Sequence, residues 1–192
     1  MNIGFDLDKV FIDYPPFVSA KIMDRLYKKK DNGILLYRIP SYPEQLFRRA
    51  IHAPFLRPAI KENLALLRTI SKKDNNLYLV SSRFKFLEKR TKKLVKRFGL
   101  DEIFNGLFFN YDNLQPHIFK QEVIEKLKLD IYTDDDLSLI KHVAKACPKT
   151  TFFWLNQENN NQQITDNVQG ITMLEEIFKH PGIMNNELGI KK

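Results

Sequence analysis

The chain has 192 residues, of which 43% are hydrophobic and 28% charged, a composition typical of one globular domain with or without a small insert. No apolar run reaches the roughly 20 residues that span a bilayer, and a single cysteine, Cys147, excludes an internal disulfide and a multi-cysteine zinc site. The net charge of +8 fits an anionic substrate or nucleic acid, but a charged surface that only aids solubility is the more common reason for such a charge.

The first predicted element is a short buried strand that ends in two aspartates. No basic segment followed by a long apolar one precedes it, so we expect no secretory signal and a cytoplasmic location. If residues 3–7 form a strand, Asp6 and Asp8 emerge where it ends, at the edge of an open α/β sheet where ligands bind. Carboxylates there have to be paired, hydrogen-bonded or metal-bound, because burying a bare charge is costly. An Asp-x-Asp pair on its own is also common in ordinary turns and helix caps.

Residues 14–54 interrupt the rhythm of the chain and are predicted to form a small helical insert. Its predicted elements are a helix at residues 17–30, a turn at 31–33 and a second helix at 42–51. The first of these helices has apolar residues at helical spacing and ends in three lysines, which favour a helix C-terminus. Pro54 and Pro58 mark the return to the main domain.

Beyond residue 55, strands and helices alternate. Four apolar stretches are predicted to be strands: residues 77–80, 106–109, 129–133 and 151–155. Predicted helices occupy a stretch that begins near Pro58, then residues 84–98, 118–128, 137–146 and 172–179, with a polar loop at 156–163. This alternation predicts an α/β fold: a mostly parallel, Rossmann-like sheet with helices on both faces, formed by residues 1–13 and 55–192.

Three further groups of polar residues stand where predicted strands end or a helix begins. They are Ser81-Ser82-Arg83, Lys120 and Asp134-Asp135-Asp136. Two acidic clusters at strand ends, the first pair and this last one, favour a divalent cation held by oxygen ligands. The same residues also have structural interpretations, with Ser81 as a helix N-cap, Lys120 as a solvent-facing residue, and the three aspartates as the cap of the next helix.

Taken in order, these motifs resemble those of the haloacid dehalogenase-like superfamily. The matching segments are Phe5-Asp6-Leu7-Asp8-Lys9-Val10, Leu79-Val80-Ser81, Phe119-Lys120 and Tyr132-Thr133-Asp134-Asp135. The resemblance covers the chain apart from residues 14–54, where the family has a small cap. It implies a Rossmann-like core, a Mg²⁺ cofactor and phosphomonoester hydrolysis. Val10 in place of the commoner Thr is closest to the 5'-nucleotidase and deoxyribonucleotidase-like branch, and Lys9 stands where many members have glycine.

The resemblance assigns catalytic and metal-binding roles to the acidic residues. It implies that Asp6 is the nucleophile, forms an aspartyl-phosphate and also binds Mg²⁺. Asp8 would protonate the leaving alkoxide, deprotonate the attacking water, and place its backbone carbonyl on the metal. Asp134 and Asp135 would complete the metal site, directly or through water. The second aspartate of the first motif favours phosphate over halide chemistry, because the family's dehalogenases lack it.

The resemblance also assigns the groups that hold the phosphate. Ser81 would donate its hydroxyl to a phosphate oxygen, and Lys120 would stabilise the charge on the phosphate and the nucleophile. Arg83 is placed to clamp a second anionic group, while Ser82 and Lys9 are further candidates for substrate binding. From the insert, five residues are candidates to face the substrate: Arg38, Tyr42, Arg48, Arg49 and His52.

Together these features predict a phosphatase for a small phosphorylated substrate, with a nucleotide 5'-phosphate as the expected class and no membrane partner. The basic segment at residues 83–97 leaves open a phosphatase for polynucleotide ends, or only a solvated helix face. A phosphomutase shares the same aspartates, and a binding protein that keeps the fold without turnover is a further alternative.

Overall fold

A seven-stranded sheet forms the centre of the computed structural model, which describes residues 1–18, 28–31, 34–71, 75–156 and 162–179. Its strands are β1 (Asn2–Phe5), β4 (Asn76–Ser81), β5 (Gly106–Phe109), β6 (Ile131–Asp134), β7 (Thr151–Leu155), β8 (Gln163–Thr165) and β9 (Val168–Ile171). They are ordered β5-β4-β1-β6-β7-β9-β8, and the neighbouring pairs are parallel except for β8 with β9. Two further strands, β2 (Lys28–Asp31) and β3 (Ile34–Tyr37), pair antiparallel with each other.

Helices cover both faces of the sheet. The α-helices are α1 (Tyr42–Ile51), α2 (Lys61–Ile70), α3 (Glu88–Arg97), α4 (Leu100–Ile103), α5 (Pro116–Leu127) and α6 (Leu137–Ala146), with 3-10 helices at Pro54–Leu56, Lys85–Leu87 and Leu174–Lys179. The apolar side chains of α2 and α3 pack in one core with Ile3 and Phe5. Those of α5 and α6 pack in a second core with Tyr132 and Phe152. The mostly parallel, Rossmann-like α/β sheet predicted from the sequence is therefore confirmed.

The two strands at the middle of the sheet bring the acidic motifs together. β1 and β6 are parallel neighbours, with Phe5 paired to Thr133. The ladder continues for one more residue, since the Asp6 amide donates to the Thr133 carbonyl at 2.9 Å. Asp6 and Asp134 therefore leave neighbouring strands at the same edge of the sheet, which is where a parallel sheet places its ligands.

The insert contains strands as well as a helix, so the expectation of a wholly helical insert is wrong. Residues 28–30, predicted as the last turn of the first insert helix, lie in β2 instead. Pairing with β3 satisfies their backbone groups, and this contact outweighs the helical propensity of lysine. The predicted helix at 42–51 is confirmed as α1. Residues 19–27 and 32–33, which hold most of the other predicted elements here, lie outside the described residues, and the division of the chain at 14–54 stays a prediction.

The C-terminal part departs most from the prediction. Gln163, placed in a polar loop, lies in β8, while residues 157–161 of that loop and the tail beyond Pro181 lie outside the described residues. β8 and β9 form a hairpin around Asp166-Asn167, a turn without glycine that the prediction missed. The helix predicted at 172–179 is a shorter 3-10 helix. Among the described residues, no helix has the length and apolar content that crossing a bilayer requires.

Candidate active site

All nine residues predicted to act in the site line one cavity of about 960 Å³. They are Asp6, Asp8, Lys9, Ser81, Ser82, Arg83, Lys120, Asp134 and Asp135. Most of them come together because β1, β4 and β6 are adjacent and parallel, so the motifs that follow these strands meet at one edge of the sheet. Their convergence supports the predicted site, while the role of each residue stays a prediction.

Three carboxylates form an acidic cluster in this cavity. Asp6, Asp134 and Asp135 each offer a carboxylate oxygen, and these oxygens lie within 4.8 Å of one another. Burial, together with the charges of Asp134 and Asp8, raises the pKa of Asp6 to about 7 against the opposing effect of Lys120. Burial and the Asp134 charge also raise the pKa of Asp135 well above its usual range. Oxygen donors that share an excess of negative charge fit a hard divalent cation such as Mg²⁺.

The third aspartate of the run has a structural role. Asp136 is the N-cap of α6, and its Oδ1 accepts from the amides of Ser138 and Leu139 at 3.1 and 3.2 Å. Its Oδ2 accepts from the Tyr37 hydroxyl, which comes from the insert. The cap interpretation is therefore confirmed for Asp136, whereas the two aspartates before it belong to the acidic cluster.

Lys120 is the cation beside the acidic cluster, and its interpretation as a solvent-facing residue is wrong. Its side chain is 3% exposed, and Nζ donates to Asp6 Oδ1 at 2.8 Å and to Asp134 Oδ2 at 2.5 Å. Burial lowers the pKa of Lys120, but the charges of Asp134 and Asp6 outweigh it and raise that pKa well above its usual range. Lys120 therefore keeps its proton and links α5 to the ends of β1 and β6.

Asp8 lies apart from the acidic cluster, between two arginines. Arg83 donates from Nε and Nη2 to the two Asp8 oxygens at 2.8 and 2.7 Å. Arg57 donates from Nη2 to Asp8 Oδ1, and its Nη1 lies 2.7 Å from His52 Nδ1. Burial raises the pKa of Asp8, but the two guanidiniums outweigh it and hold the pKa well below its usual range. The side chain of Asp8 is therefore a carboxylate, while its backbone amide donates to Asp6 Oδ2 at 3.0 Å.

Sequence reasoning missed Arg57, the second partner of Asp8. Arg57 stands between Pro54 and Pro58, where the sequence indicates only the end of the insert, and 49 residues separate it from Asp8. The fold brings it there because the Asp13 amide donates to the Pro58 carbonyl at 2.8 Å. Arg57 Nε in turn donates to the Asp13 carbonyl at 2.6 Å. No local pattern predicts this contact, because it depends on the tertiary path of the loop.

The serine pair at the end of β4 supplies hydroxyl groups to the cavity wall. Ser81 is the buried last residue of β4, and the helices that follow are capped by Phe84 and Leu87, so the N-cap interpretation of Ser81 is wrong. Ser82 Oγ is buried and has no hydrogen-bond partner in the described part of the chain. A buried hydroxyl without a partner is costly, and a phosphate oxygen in the cavity would accept from it. This supports a substrate-binding role for the pair.

Lys9 has a strained backbone beside the cavity. Its φ is +61°, in the left-handed region that costs a residue other than glycine about 1–2 kcal/mol. Its Nζ lies 2.6 Å from Asp13 Oδ1 and 5.2 Å from the centre of the Tyr14 ring. Strain of this kind persists mainly where function requires it. The strain and the place of Lys9 in the cavity wall are consistent with a functional position, and the contact of its amine with substrate phosphate stays a prediction.

Replacing Lys9 by glycine separates the strain from the amine. We expect the free energy of unfolding to stay the same or rise by up to about 1 kcal/mol, because the relief of strain exceeds the extra chain entropy of glycine. We expect KM for a phosphomonoester to rise several-fold at nearly constant kcat. Urea denaturation and steady-state kinetics measure the two effects. Lys9→Ala, which loses the amine but keeps the strain, should show the same raised KM as Lys9→Gly. A wild-type KM in both variants would contradict a role of Lys9 in binding substrate.

Two tyrosines of the insert face the cavity, in place of the five residues predicted to do so. Tyr14 and Tyr37 line it, and Tyr37 exchanges two hydrogen bonds with the Gln115 side chain at 3.0 and 2.9 Å. Among the described residues, the cavity lining does not include Arg38, Tyr42, Arg48, Arg49 or His52. A charged side chain can be satisfied elsewhere, as Arg38 is by Glu44 at 2.7 Å. The prediction about these five residues is therefore wrong.

Comparison with known proteins finds similarity at the level of shape. No family model and no curated protein matches the chain. A haloacid dehalogenase-like hydrolase from Streptococcus pneumoniae superposes with a TM-score of 0.60 at 14% identity, over 93% of this chain and 97% of its own. A D,D-heptose 1,7-bisphosphate phosphatase from B. bronchiseptica, in complex with magnesium and phosphate, superposes with a TM-score of 0.55 at 9% identity, over 97% of this chain and 99% of its own. A beta-phosphoglucomutase from Pyrococcus sp. superposes with a TM-score of 0.54 at 12% identity, over 96% of this chain and 99% of its own.

Proposed function

We propose that this chain, which has the haloacid dehalogenase-like fold, is a Mg²⁺-dependent phosphomonoesterase that acts through an aspartyl-phosphate. The observation that carries the proposal is the convergence of Asp6, Lys120 and the acidic cluster in one cavity. The similar phosphatase that holds magnesium and phosphate supports the choice of metal. The proposed substrate is a small phosphorylated compound such as a nucleotide 5'-phosphate, whose planar base suits the aromatic lining of Tyr14, Tyr37 and Trp154.

Asp6 is oriented for attack on phosphorus by hydrogen bonds to both of its oxygens, from Lys120 and from the Asp8 amide. In the first step an Asp6 oxygen bonds to phosphorus, the bond from phosphorus to the ester oxygen breaks, and the leaving alkoxide takes a proton from solvent water. In the second step water attacks the phosphoryl group and gives a proton to Asp8, and the bond between phosphorus and the Asp6 oxygen breaks to release inorganic phosphate. Mg²⁺ held by Asp6, Asp134 and Asp135 would neutralise phosphate charge.

Lys120 and the serine pair stabilise the negative charge that gathers around Asp6. Lys120 is already fixed between Asp6 and Asp134, so no reorganisation is needed when a phosphate enters. The Ser82 hydroxyl gains a partner in a phosphate oxygen, and Ser81 lies beside it on the cavity wall. These donors act in a buried site, where each hydrogen bond to a charged group is stronger than in water.

Asp8 is the proposed proton acceptor in the second step. Between Arg57 and Arg83 it is held as a carboxylate, which is the form that accepts a proton from attacking water. The arginines oppose the protonated form that would assist a poor leaving group. We therefore expect esters of acidic alcohols, whose alkoxides leave without help, to be hydrolysed faster than simple alkyl phosphates.

The test of the proposal is phosphate release from a panel of phosphomonoesters, among them nucleoside 5'-monophosphates and p-nitrophenyl phosphate. We expect release with Mg²⁺, its loss with EDTA, and recovery when Mg²⁺ is restored. Mg²⁺ should also raise the melting temperature, because it binds the folded acidic cluster. A folded protein that binds Mg²⁺ yet releases no phosphate from any ester would contradict the proposal. Transfer of phosphate to a sugar phosphate in place of water would identify a phosphomutase.

A further inference from the structure

Helix α3 and the 3-10 helix before it carry a dense positive surface. Five exposed lysines spaced to fall on one side form this surface, here called the basic face: Lys85, Lys89, Lys92, Lys93 and Lys96. Leu94 and Val95 point the other way and are buried in the core. The apolar side of α3 therefore fixes the helix to the sheet, and its basic side is presented to solvent.

Little negative charge offsets the basic face. Residues 85–97 contain seven Lys and Arg residues and a single acidic residue, Glu88. Within the described part of the chain, Lys92 is the one member of the basic face in a salt bridge, with Glu88 at 2.6 Å. Like charges at helical spacing repel one another. A bound polyanion would relieve this repulsion and release the counterions that the lysines otherwise gather.

The basic face begins where the cavity wall ends along the chain. Arg83 and Phe84 line the cavity, and Lys85 follows directly. From the insert, Arg49 Nε donates to the Phe86 carbonyl at 3.2 Å, which adds a cation beside the start of the basic face. The segment that forms this part of the cavity wall therefore runs directly into the basic face.

An exposed aromatic ring lies near the far end of α3. Arg97, the last residue of the helix, donates to the Pro54 carbonyl. The next residue after Pro54 is Phe55, whose side chain is 75% exposed. An isolated surface phenylalanine is ordinary, but a ring beside a run of cations is the combination that binds unpaired nucleic-acid bases, which stack on aromatic side chains.

We infer that the proposed phosphatase also accepts a single-stranded polynucleotide with a terminal phosphate, held by its backbone on the basic face and by a base on Phe55. The terminal phosphate rests on the proposed function. α3 has 10 residues and is about 15 Å long, enough to follow the backbone of a short single-stranded segment. A membrane surface fits less well, because the apolar side chains of α3 face the core and leave no stripe to insert into lipid.

The test is the salt dependence of binding, measured by fluorescence anisotropy in EDTA so that no turnover occurs. The probes are short labelled DNA and RNA strands with a phosphate at the 5' or the 3' end. Contact of all five lysines with phosphates predicts a slope of about −3.5 for the logarithm of the binding constant against that of salt concentration. Whether DNA or RNA binds more tightly identifies the preferred sugar, and whether the 5' or the 3' phosphate binds more tightly identifies the preferred end.

Matched variants locate the binding surface. Lys85, Lys89, Lys93 and Lys96, all changed to Gln, should make the slope shallower by about 3 and weaken binding at low salt at least about tenfold. Hydrolysis of p-nitrophenyl phosphate should be unchanged. The control changes four exposed lysines on the opposite side of the sheet to Gln, namely Lys126, Lys141, Lys145 and Lys149, and should bind as wild type does. Phe55→Ala should weaken binding at least about fivefold without changing the slope.

The outcomes separate this inference from the proposed function. Equal losses in the two fourfold variants would show a response to net charge alone and overturn the inference. So would tighter binding of polyglutamate or anionic vesicles than of either strand. An enzyme that hydrolyses small esters but binds no strand would overturn the inference and keep the proposed function. Binding through the basic face without phosphate release from any ester, the end of the bound strand included, would overturn the proposed function and leave a polynucleotide-binding protein.

Discussion

Replacing Asp6 by asparagine is expected to lower kcat for phosphomonoester hydrolysis at least about a thousand-fold, because the amide has no anionic oxygen to attack phosphorus. The shape of the side chain is kept, and its carbonyl oxygen can still accept the hydrogen bond that Lys120 donates to Asp6 at 2.8 Å. We therefore expect the protein to fold. Phosphate release with Mg²⁺ measures the first effect, and circular dichroism measures the second.

A matched control removes a carboxylate that lies outside the cavity. Asp112→Asn changes an exposed aspartate and should hydrolyse phosphomonoesters as wild type does. Mass spectrometry of acid-quenched wild-type enzyme should find a labile phosphate on the peptide that contains Asp6, and find none in Asp6→Asn. Activity above about a tenth of wild type in Asp6→Asn would show that another group is the nucleophile.

The acidic and serine motifs could be placed from the sequence because each follows an apolar strand. In a parallel sheet, a position directly after a strand is enough to place a side chain in the site, since the ends of neighbouring strands meet at one edge. Asp6 and Ser81 end up on adjacent strands for this reason, and Lys120 reaches the same cavity from a buried position on α5. The residues at which each element begins and ends, and the order of the strands in the sheet, do not follow from these motifs.

The arginines around Asp8 could not be placed in this way. Arg83 was predicted to bind substrate, yet it forms a bidentate pair with Asp8, and Arg57 completes the pairing from the end of the insert. These contacts join residues 75 and 49 positions apart, and charge alone does not say which cation meets which carboxylate. In the proposed mechanism these ion pairs favour Asp8 as a proton acceptor over Asp8 as a proton donor.

The insert was the least predictable part because its local signals and its contacts disagree. Lysines favour a helix in isolation, but residues 28–31 pair with β3. The Tyr37 side chain at the end of β3 then bonds to Asp136, and its backbone bonds to Gln115. Tyr37 reaches the cavity only through these long-range contacts, which no window of the sequence contains.

Replacing Lys120 by methionine is expected to lower the free energy of unfolding by about 3–5 kcal/mol in EDTA, because two buried carboxylates lose their cation. Methionine keeps the length of the side chain, so the loss reports charge more than packing. Mg²⁺ should reduce the loss, since it neutralises the same acidic cluster in the folded state. Urea denaturation with EDTA and with Mg²⁺ measures both values.

The pH dependence of this loss has a definite sign. Lys120 lowers the pKa of Asp6, which burial has raised to about 7, so the pKa of Asp6 rises further when Lys120 is removed. A carboxyl whose pKa is raised in the folded state lowers the free energy of unfolding as the pH rises toward that pKa. In the variant this decline continues to a higher pH than in wild type, so the loss should be larger near pH 8 than near pH 5. Lys126→Met, an exposed site on the same helix, should change stability by no more than about 0.5 kcal/mol at either pH. Equal effects of the two substitutions would mean that the Lys120 charge does not hold the cluster together.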